Sequence, residues 1–270
     1  MTRSFSIALA FLFLTTLPAL GHEFWIDPED FEVAPGAPLE ANLRVGEEFS
    51  GAPSVYLPNR FRRFEIAGAA APVPVEGTMG DRPALNQAAE EGLAIVLHET
   101  KVQRVTYREF AKFAAFVAHK DAEWTLDLHR ERGLPEEGFV EAYTRHAKSL
   151  VAVGAGDGAD RPFGLDTEFV ALANPYADDV SAGFPVRLLY QGAPRPDAQV
   201  EIFEKAPSGE VTVRLVRTDG TGEAVIPVRA GHRYMLDAVV LREPAPQLAE
   251  ETGAVWESLW ANLTFALPAD

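Results

Sequence analysis

The sequence predicts a mainly β protein built from two β-sandwich domains, with a helical insertion in the first. Two observations predict the strands. Apolar and polar residues alternate from Leu39 to Val45, and the last hundred residues form short apolar runs separated by turn signals. A third observation predicts the insertion, because the apolar spacing becomes helical over about residues 106–150. We therefore expect an N-terminal β domain over residues 22–177 and a C-terminal β-sandwich over residues 178–270.

The first domain is predicted to begin with several short strands. The alternation from Leu39 to Val45 is typical of a strand with one buried face. Further strands are expected at the apolar runs 55–57, 61–66 and 93–98.

The insertion is predicted to contain three helices. Thr106 and Glu109 fit a capping box at the start of the first helix. A second helix is expected over residues 122–132, and Pro135 would start a third that continues to about Leu150. The third helix would share one face among four residues, namely Phe139, Tyr143, His146 and Leu150.

The C-terminal domain is predicted from regularly spaced short strands. The boundary should fall near residues 174–181, where Asn174-Pro175-Tyr176 is a turn signal. Strands are expected over residues 184–190, 200–204, 211–216, 224–228, 232–241 and 256–267. Residues 244–252 read as an exposed loop.

The first 21 residues have the pattern of a secretory signal peptide. Arg3 precedes an apolar run over residues 7–14, which is too short to span a bilayer as a helix. Ala19 and Gly21 supply small residues at the −3 and −1 positions of a cleavage site. An uncleaved membrane anchor is the alternative. Cleavage predicts a periplasmic protein whose mature chain begins at His22 and does not insert into the membrane.

The composition limits the classes of partner. The chain has 24 Lys and Arg against 40 Asp and Glu, a net charge of −16, so nucleic acid and anionic membranes would be repelled. It has no cysteine, which excludes disulfides and a thiolate nucleophile or metal ligand. The sequence also lacks a GxSxG elbow, an HExxH motif and a glycine-rich phosphate loop followed by lysine. We therefore expect no catalytic residues.

His22 is the leading candidate metal ligand. A histidine at the mature N-terminus offers a free α-amine and an imidazole, which together can chelate one transition-metal ion. Glu23 and Asp27 could add oxygen donors, although Asp27-Pro28 also reads as a turn. No two of the six histidines have the i, i+4 spacing of a helical metal clip. Any site must therefore be assembled from distant segments.

Several motifs resemble one family of exported proteins. These are residues 22–26 (HEFWI), 129–135 (HRERGLP), 143–150 (YTRHAKSL), 168–176 (EFVALANPY) and 256–265 (WESLWANLTF). The chain resembles a domain-of-unknown-function family that is described as a NikM-like or NikK-like nickel-uptake component. The resemblance implies a periplasmic protein linked to nickel or cobalt transport.

The C-terminal domain also resembles a transthyretin-like or carboxypeptidase-regulatory sandwich, a variant of the immunoglobulin-like architecture. The motifs are residues 192–194 (GAP), 218–222 (TDGTG) and 231–234 (GHRY). Such modules are commonly non-catalytic, so this resemblance implies binding or scaffolding.

The first functional hypothesis is a periplasmic metal-binding protein that assists nickel or cobalt uptake. His22 would bind a divalent nickel, cobalt or copper ion, and His129 and His146, which lie in family motifs, would complete the site. A membrane metal-uptake transporter would be its partner. His98 and His119 remain alternative ligands, and His146 could equally be a satisfied core residue.

Two rival hypotheses stay open. The first is a β-sandwich module that binds a protein or glycan without metal. The second is a copper oxidase of the histidine-brace kind, since a cleaved leader, an N-terminal histidine and a β-sandwich also occur together in polysaccharide monooxygenases.

Overall fold

The computed structural model describes residues 22–269, within which the chain forms eighteen strands and three helices. The first nine strands are β1 (Glu23–Pro28), β2 (Glu32–Val33), β3 (Pro38–Glu47), β4 (Ser50–Ser54), β5 (Phe61–Ala67), β6 (Val73–Pro74), β7 (Leu85–Ala88), β8 (Gly92–Thr100) and β9 (Gln103–Tyr107). They are followed by α1 (Phe110–His119), α2 (Trp124–Glu131), β10 (Phe139–Val153) and β11 (Thr167–Ala171). The remaining elements are β12 (Phe184–Tyr190), β13 (Ala193–Pro194), β14 (Gln199–Lys205), β15 (Val211–Arg217), β16 (Glu223–Ile226), β17 (Arg233–Arg242), α3 (Pro246–Thr252) and β18 (Ala254–Ala266).

These strands form three sheets. The central sheet has ten strands in the order β15-β14-β17-β18-β10-β8-β5-β6, with β2 and β9 also paired to β10. A second sheet contains β1, β3, β4 and β7, and a third contains β11, β12, β13 and β16. The predicted mainly β sandwich architecture with a small helical insertion is therefore confirmed.

Successive side chains of β10 and β18 point to opposite faces of the central sheet. On one face, Leu150 and Leu263 pack in a core with Phe169 and Val186 of the third sheet. On the opposite face, Val151 packs with β1 and β3 of the second sheet. Nearer the start of β10, that same face is covered by α1 and α2, whose Phe113 and Val117 pack on the tryptophans of β18. The second sheet and the helical pair therefore lie side by side on one face of the central sheet.

The predicted third helix is wrong, because residues 139–153 form the fifteen-residue strand β10. This strand lies in the middle of the central sheet and is buried on both faces over most of its length. A strand covered on both faces loses the alternation of apolar and polar residues, so periodicity does not separate it from a buried helix. The insertion thus contains only α1 and α2, within residues 110–131.

Three smaller predictions are also wrong. Thr106 belongs to β9, and α1 starts after Glu109 without a side-chain cap, so there is no capping box. Residues 244–252 contain the short helix α3 with a proline in its first turn, and residues 55–57 form no strand. The C-terminal strands of the prediction correspond to β12, β14, β15, β16, β17 and β18.

The two predicted domains share the central sheet. β10 of the first pairs in parallel with β18 of the second over residues 140–149 and 254–264. The boundary near residues 174–181 remains a prediction about sequence organisation. The predicted signal peptide, residues 1–21, lies outside the described residues. No helix within residues 22–269 has the length and apolar character needed to cross a bilayer.

Candidate functional site

The start of the described chain lies at the rim of a pocket. Antiparallel pairing of β1 with β3 sets Glu23 opposite Gly46, which places His22 beside Glu47. The Nδ1 atom of His22 lies 3.4 Å from Oε1 of Glu47, and both side chains are about half exposed. The carbonyl oxygen of His22 accepts a hydrogen bond of 2.8 Å from Nη2 of Arg145. The backbone of the first described residue is therefore held in place while its imidazole faces solvent.

The pocket has a volume of about 450 Å³ and lies where the second sheet meets the helical pair. Volumes of this size are usual for sites that bind small molecules. Its lining comes from β9, α1, β10 and β18, together with His22: Val105, Thr106, Tyr107, Arg108, Glu109, Lys112, Phe116, Glu141, Tyr143, Arg145 and Trp260.

The register of the strands explains why polar and aromatic groups meet here. Glu141, Tyr143 and Arg145 alternate along β10 and therefore point to the same face of the sheet. The parallel pairing sets Tyr143 beside Ser258 and Arg145 beside Trp260 of β18. The side chains of Ser258 and Trp260 consequently lie on that face as well.

Glu141 is a buried carboxyl group at the pocket. The hydroxyl of Tyr107 donates a hydrogen bond of 2.8 Å to its Oε2 atom, and the hydroxyl of Ser258 donates to its Oε1 atom. Burial raises the pKa of Glu141 to about 7, although both hydrogen bonds favour the ionised form. Glu141 can therefore exchange a proton near neutral pH.

Arg145 is a buried cation with no carboxylate within ion-pair distance. The residue is 9% exposed, and none of the ion pairs within residues 22–269 includes it. Asp237, Glu23 and Glu141 act on its guanidinium only from longer range. The guanidinium carbon lies 4.8 Å from the ring centroid of Tyr143 and 5.8 Å from that of Trp260. Burial lowers the pKa of Arg145, and its Nε atom has no hydrogen-bond partner among the described residues. Buried charges in proteins are normally paired, so this guanidinium is unusual.

His129 does not line the pocket. It is fully buried between α1, α2 and β18, where the indole Nε1 of Trp256 donates a hydrogen bond of 3.0 Å to its Nδ1 atom. Its Nε2 atom lies 3.0 Å from the carbonyl oxygen of Pro135. One tautomer, with the proton on Nε2, satisfies both contacts. Both ring nitrogens are thus engaged by the protein itself.

His146 lies on the opposite face of β10 from Arg145, because the two residues are adjacent in a strand. It is 1% exposed, and its Nδ1 atom lies 3.2 Å from the carbonyl oxygen of Trp260. Burial lowers the pKa of His146. His22 lines the pocket, whereas His129 and His146 do not.

The alternative histidines lie in other surroundings. His98 is buried against the rings of Phe24, Phe61 and Phe64, and burial lowers its pKa to about 3. His119 is partly exposed, and its Nε2 atom lies 2.7 Å from Oε1 of Glu201.

Among residues 22–269, one group of histidine and carboxylate side chains has converging ligand atoms: Glu23, Glu201 and Asp237. The ammonium of Lys120, at the end of α1, sits among them. Its Nζ atom lies 3.4 Å from Glu23 and 3.2 Å from Asp237, and it also donates to Glu201. Burial would lower the pKa of Lys120, but the three carboxylates raise it above its usual value. The Lys120 ammonium therefore occupies the position that a metal ion would take among these three carboxylates.

The pKa values of the carboxylates around Lys120 are shifted in different directions. Burial is the main reason why the pKa of Glu23 is raised to about 7, with repulsion from Asp237 adding to it. Burial likewise raises the pKa of Asp237. Burial also acts to raise the pKa of Glu201, but hydrogen bonding from His119 and Lys120 lowers it overall. We interpret these four residues, the Lys120 cluster, as an internal ion-pair network that joins α1 to β1, β14 and β17.

The sequence predicts His22 as a metal ligand, which stays a prediction, and Glu23, suggested as an oxygen donor, lies instead in the Lys120 cluster. Glu47, Glu141 and Arg145 do not follow from the sequence pattern, because the segment with Arg145 has helical apolar spacing. The alternation of Glu141, Tyr143 and Arg145 was the available signal, because period two places all three on one face of a strand.

Comparison with known proteins gives a family without an assigned activity. A family model described as a domain of unknown function (DUF4198) matches residues 19–242. No curated protein matches the chain. The matched region includes the pocket residues of β9, α1 and β10 and three members of the Lys120 cluster besides the lysine itself. Because the match covers well over half of the sequence, the chain belongs to the DUF4198 family.

Proposed function

We propose that this protein is a periplasmic metal-binding protein that holds a divalent transition-metal ion at its mature N-terminus. The observation that carries the proposal is the meeting of His22 and Glu47 at the pocket rim, 3.4 Å apart and open to solvent. Cleavage after Gly21 would add the α-amine of His22 to this pair. Amine, imidazole and carboxylate donors suit nickel, cobalt, copper and zinc.

The positions of the donors support chelation. A metal bound by the terminal amine and by Nδ1 of the same histidine closes a small ring, and Nδ1 is the atom that faces Glu47. The hydrogen bond from Arg145 to the His22 carbonyl holds the backbone that carries the amine. Prior ordering of ligands strengthens metal binding because less freedom is lost.

This site uses Glu47 where the sequence suggested His129 and His146. The ring nitrogens of His129 are engaged by Trp256 and Pro135, and His146 lies on the other face of the central sheet. Binding of nickel or cobalt next to a membrane uptake transporter is the physiological role that we propose. The family resemblance supports this role.

The test compares two purified proteins that differ only at their first residue. One begins with a free His22 α-amine, and in the other that α-amine is acetylated. Calorimetry with Ni(II), Co(II), Cu(II) and Zn(II) should show tight binding for the first and much weaker binding for the second, because an acetylated amine is no longer a metal donor. Equal affinities would reject the proposed site. Mass spectrometry of the exported protein checks that cleavage leaves His22 first.

Glu47→Gln tests the third donor. We expect it to weaken metal binding by at least about 10–100-fold, the loss typical of groups that only orient metal ligands, because Glu47 is proposed as a direct donor. The matched control is Glu48→Gln, since Glu48 is the neighbouring residue and forms no ion pair with His22. An equal effect of both substitutions would show that only the overall charge of this edge matters.

A further inference from the structure

We infer that the pocket beside His22 binds a small organic acid, whose carboxylate pairs with Arg145 and whose planar or apolar body packs on Trp260 and Tyr143. The proposed metal donors adjoin this site, since His22 lines the same pocket, but the organic acid binds without a metal ion.

The first argument is the charge of Arg145. The residue is 9% exposed, has no ion pair within residues 22–269 and keeps its Nε atom without a hydrogen-bond partner there. Leaving a buried charge unpaired costs several kcal/mol in most proteins. An arginine presents two parallel donors that match the two oxygens of a carboxylate. A bound carboxylate would therefore supply the partner that the protein does not.

The second argument is the shape and chemistry of the pocket. Its volume of about 450 Å³ exceeds what an inorganic anion needs, and Phe116, Tyr143 and Trp260 supply aromatic walls. Aromatic walls with a few convergent polar groups are typical of sites for small organic molecules. The ligand should therefore have an apolar or planar part in addition to its carboxylate.

The third argument is the local charge. The whole chain is strongly acidic, with a net charge of −16. The pocket nevertheless contains three cationic residues, Arg108, Lys112 and Arg145, against Glu109 and Glu141. Lys112 is paired with Glu109 at the rim, and the buried Glu141 accepts hydrogen bonds from Tyr107 and Ser258. Glu141 attracts Arg145 only from beyond ion-pair distance, so the guanidinium can still pair with a ligand.

The experiment measures binding of matched acids and amides to EDTA-treated protein. The probes are benzoate and indole-3-acetate, with benzamide and indole-3-acetamide as uncharged counterparts of the same size. We expect each acid to bind at least about tenfold more tightly than its amide, because a charge-assisted pair with arginine is about twice as strong as a neutral hydrogen bond. If neither acid binds more tightly than its amide, the inference is wrong.

Two variants locate the binding. Arg145→Met should remove the preference for acid over amide. Val105→Trp should weaken both acids at least about tenfold, because Val105 lies on β9 and a larger side chain would fill the pocket that it lines. Val213→Trp is the matched control, since Val213 is exposed to a similar extent on β15 and is not a pocket residue. Unchanged affinity in Val105→Trp would overturn the assignment to this pocket.

The outcome is independent of the proposed metal site. Organic acids that bind EDTA-treated protein, and bind equally well when the His22 α-amine is acetylated, would support this inference even if no metal binds. Acid binding that appears only after metal addition would overturn it and would place the carboxylate on the metal ion.

Discussion

Two buried cations lie close to the ring of Trp260, but only one of them forms ion pairs with carboxylates of the protein. The Nζ atom of Lys120 is 4.9 Å from the ring centroid, and the guanidinium carbon of Arg145 is 5.8 Å from it. Lys120 has three carboxylate partners from three different strands. Arg145 has none among the described residues and lines a pocket instead.

This difference in partners indicates a structural role for Lys120 and a ligand-binding role for Arg145. The Lys120 cluster is complete without any ligand, because its ammonium is surrounded by acceptors. The guanidinium of Arg145 keeps donor capacity beside an accessible volume of about 450 Å³. A converging group of acidic residues is thus a poor sign of a metal site when a lysine already occupies it, whereas an unpaired buried arginine indicates an anion site.

The largest expected effect is loss of stability in Lys120→Met. Removing one partner of a buried ion pair leaves uncompensated charge, which costs about 3–5 kcal/mol. We expect urea denaturation to show a drop of that size in the free energy of unfolding. The control is Lys112→Met, which breaks an exposed pair with Glu109 and should cost less than about 1 kcal/mol. Similar losses in both variants would contradict the structural role of the Lys120 cluster.

The sequence predicts much of the fold but little of this contrast. The strands of the C-terminal half could be predicted because turns containing glycine and proline separate their apolar runs. β10 is almost continuously buried, as β17 and β18 are, but the spacing of Phe139, Tyr143 and Leu150 also fits a helix, and no turn signal contradicts it. Predicting a helix here also hides the pocket, because Glu141 and Arg145 lie on one face only if this segment is a strand.

The Lys120 cluster could not be predicted from local patterns. Its members, Glu23, Lys120, Glu201 and Asp237, come from four segments that the chain brings together only through sheet pairing and helix packing. Glu201 and Asp237 face each other across β14 and β17. Spacing along the sequence has no bearing on such contacts. By contrast, His22 can be proposed from the sequence alone, because its proposed chemistry depends only on its place after a predicted cleavage site.

The next largest expected effect is the contribution of Glu141 to the pH dependence of the free energy of unfolding. Its pKa is raised from 4.5 to about 7 in the folded protein, so between these values the folded state binds more protons than the unfolded state. Its contribution to the free energy of unfolding should therefore fall as pH rises from about 4.5 to about 7 and stay constant above that. The full change is about 3 kcal/mol, at about 1.4 kcal/mol for each pKa unit.

Glu141→Gln isolates this contribution, because glutamine keeps the shape of the side chain and does not titrate. Urea denaturation of both proteins between pH 5 and pH 8 should show the wild type losing stability relative to the variant as pH rises. A constant difference across this range would mean that Glu141 is ionised throughout and that burial does not raise its pKa.

The smallest expected effect is the one that tests the comparison most directly. Arg145→Met removes one hydrogen bond to the His22 carbonyl and the contacts with two aromatic rings, but it also removes an unpaired buried charge. These effects oppose each other, so we expect the free energy of unfolding to change by only about 1 kcal/mol in either direction. A loss as large as that of Lys120→Met would show that Arg145 is a structural cation, paired in solution with a group of the protein itself. A near-neutral change in stability, together with loss of organic-acid binding, would instead show that this guanidinium is retained for its ligand.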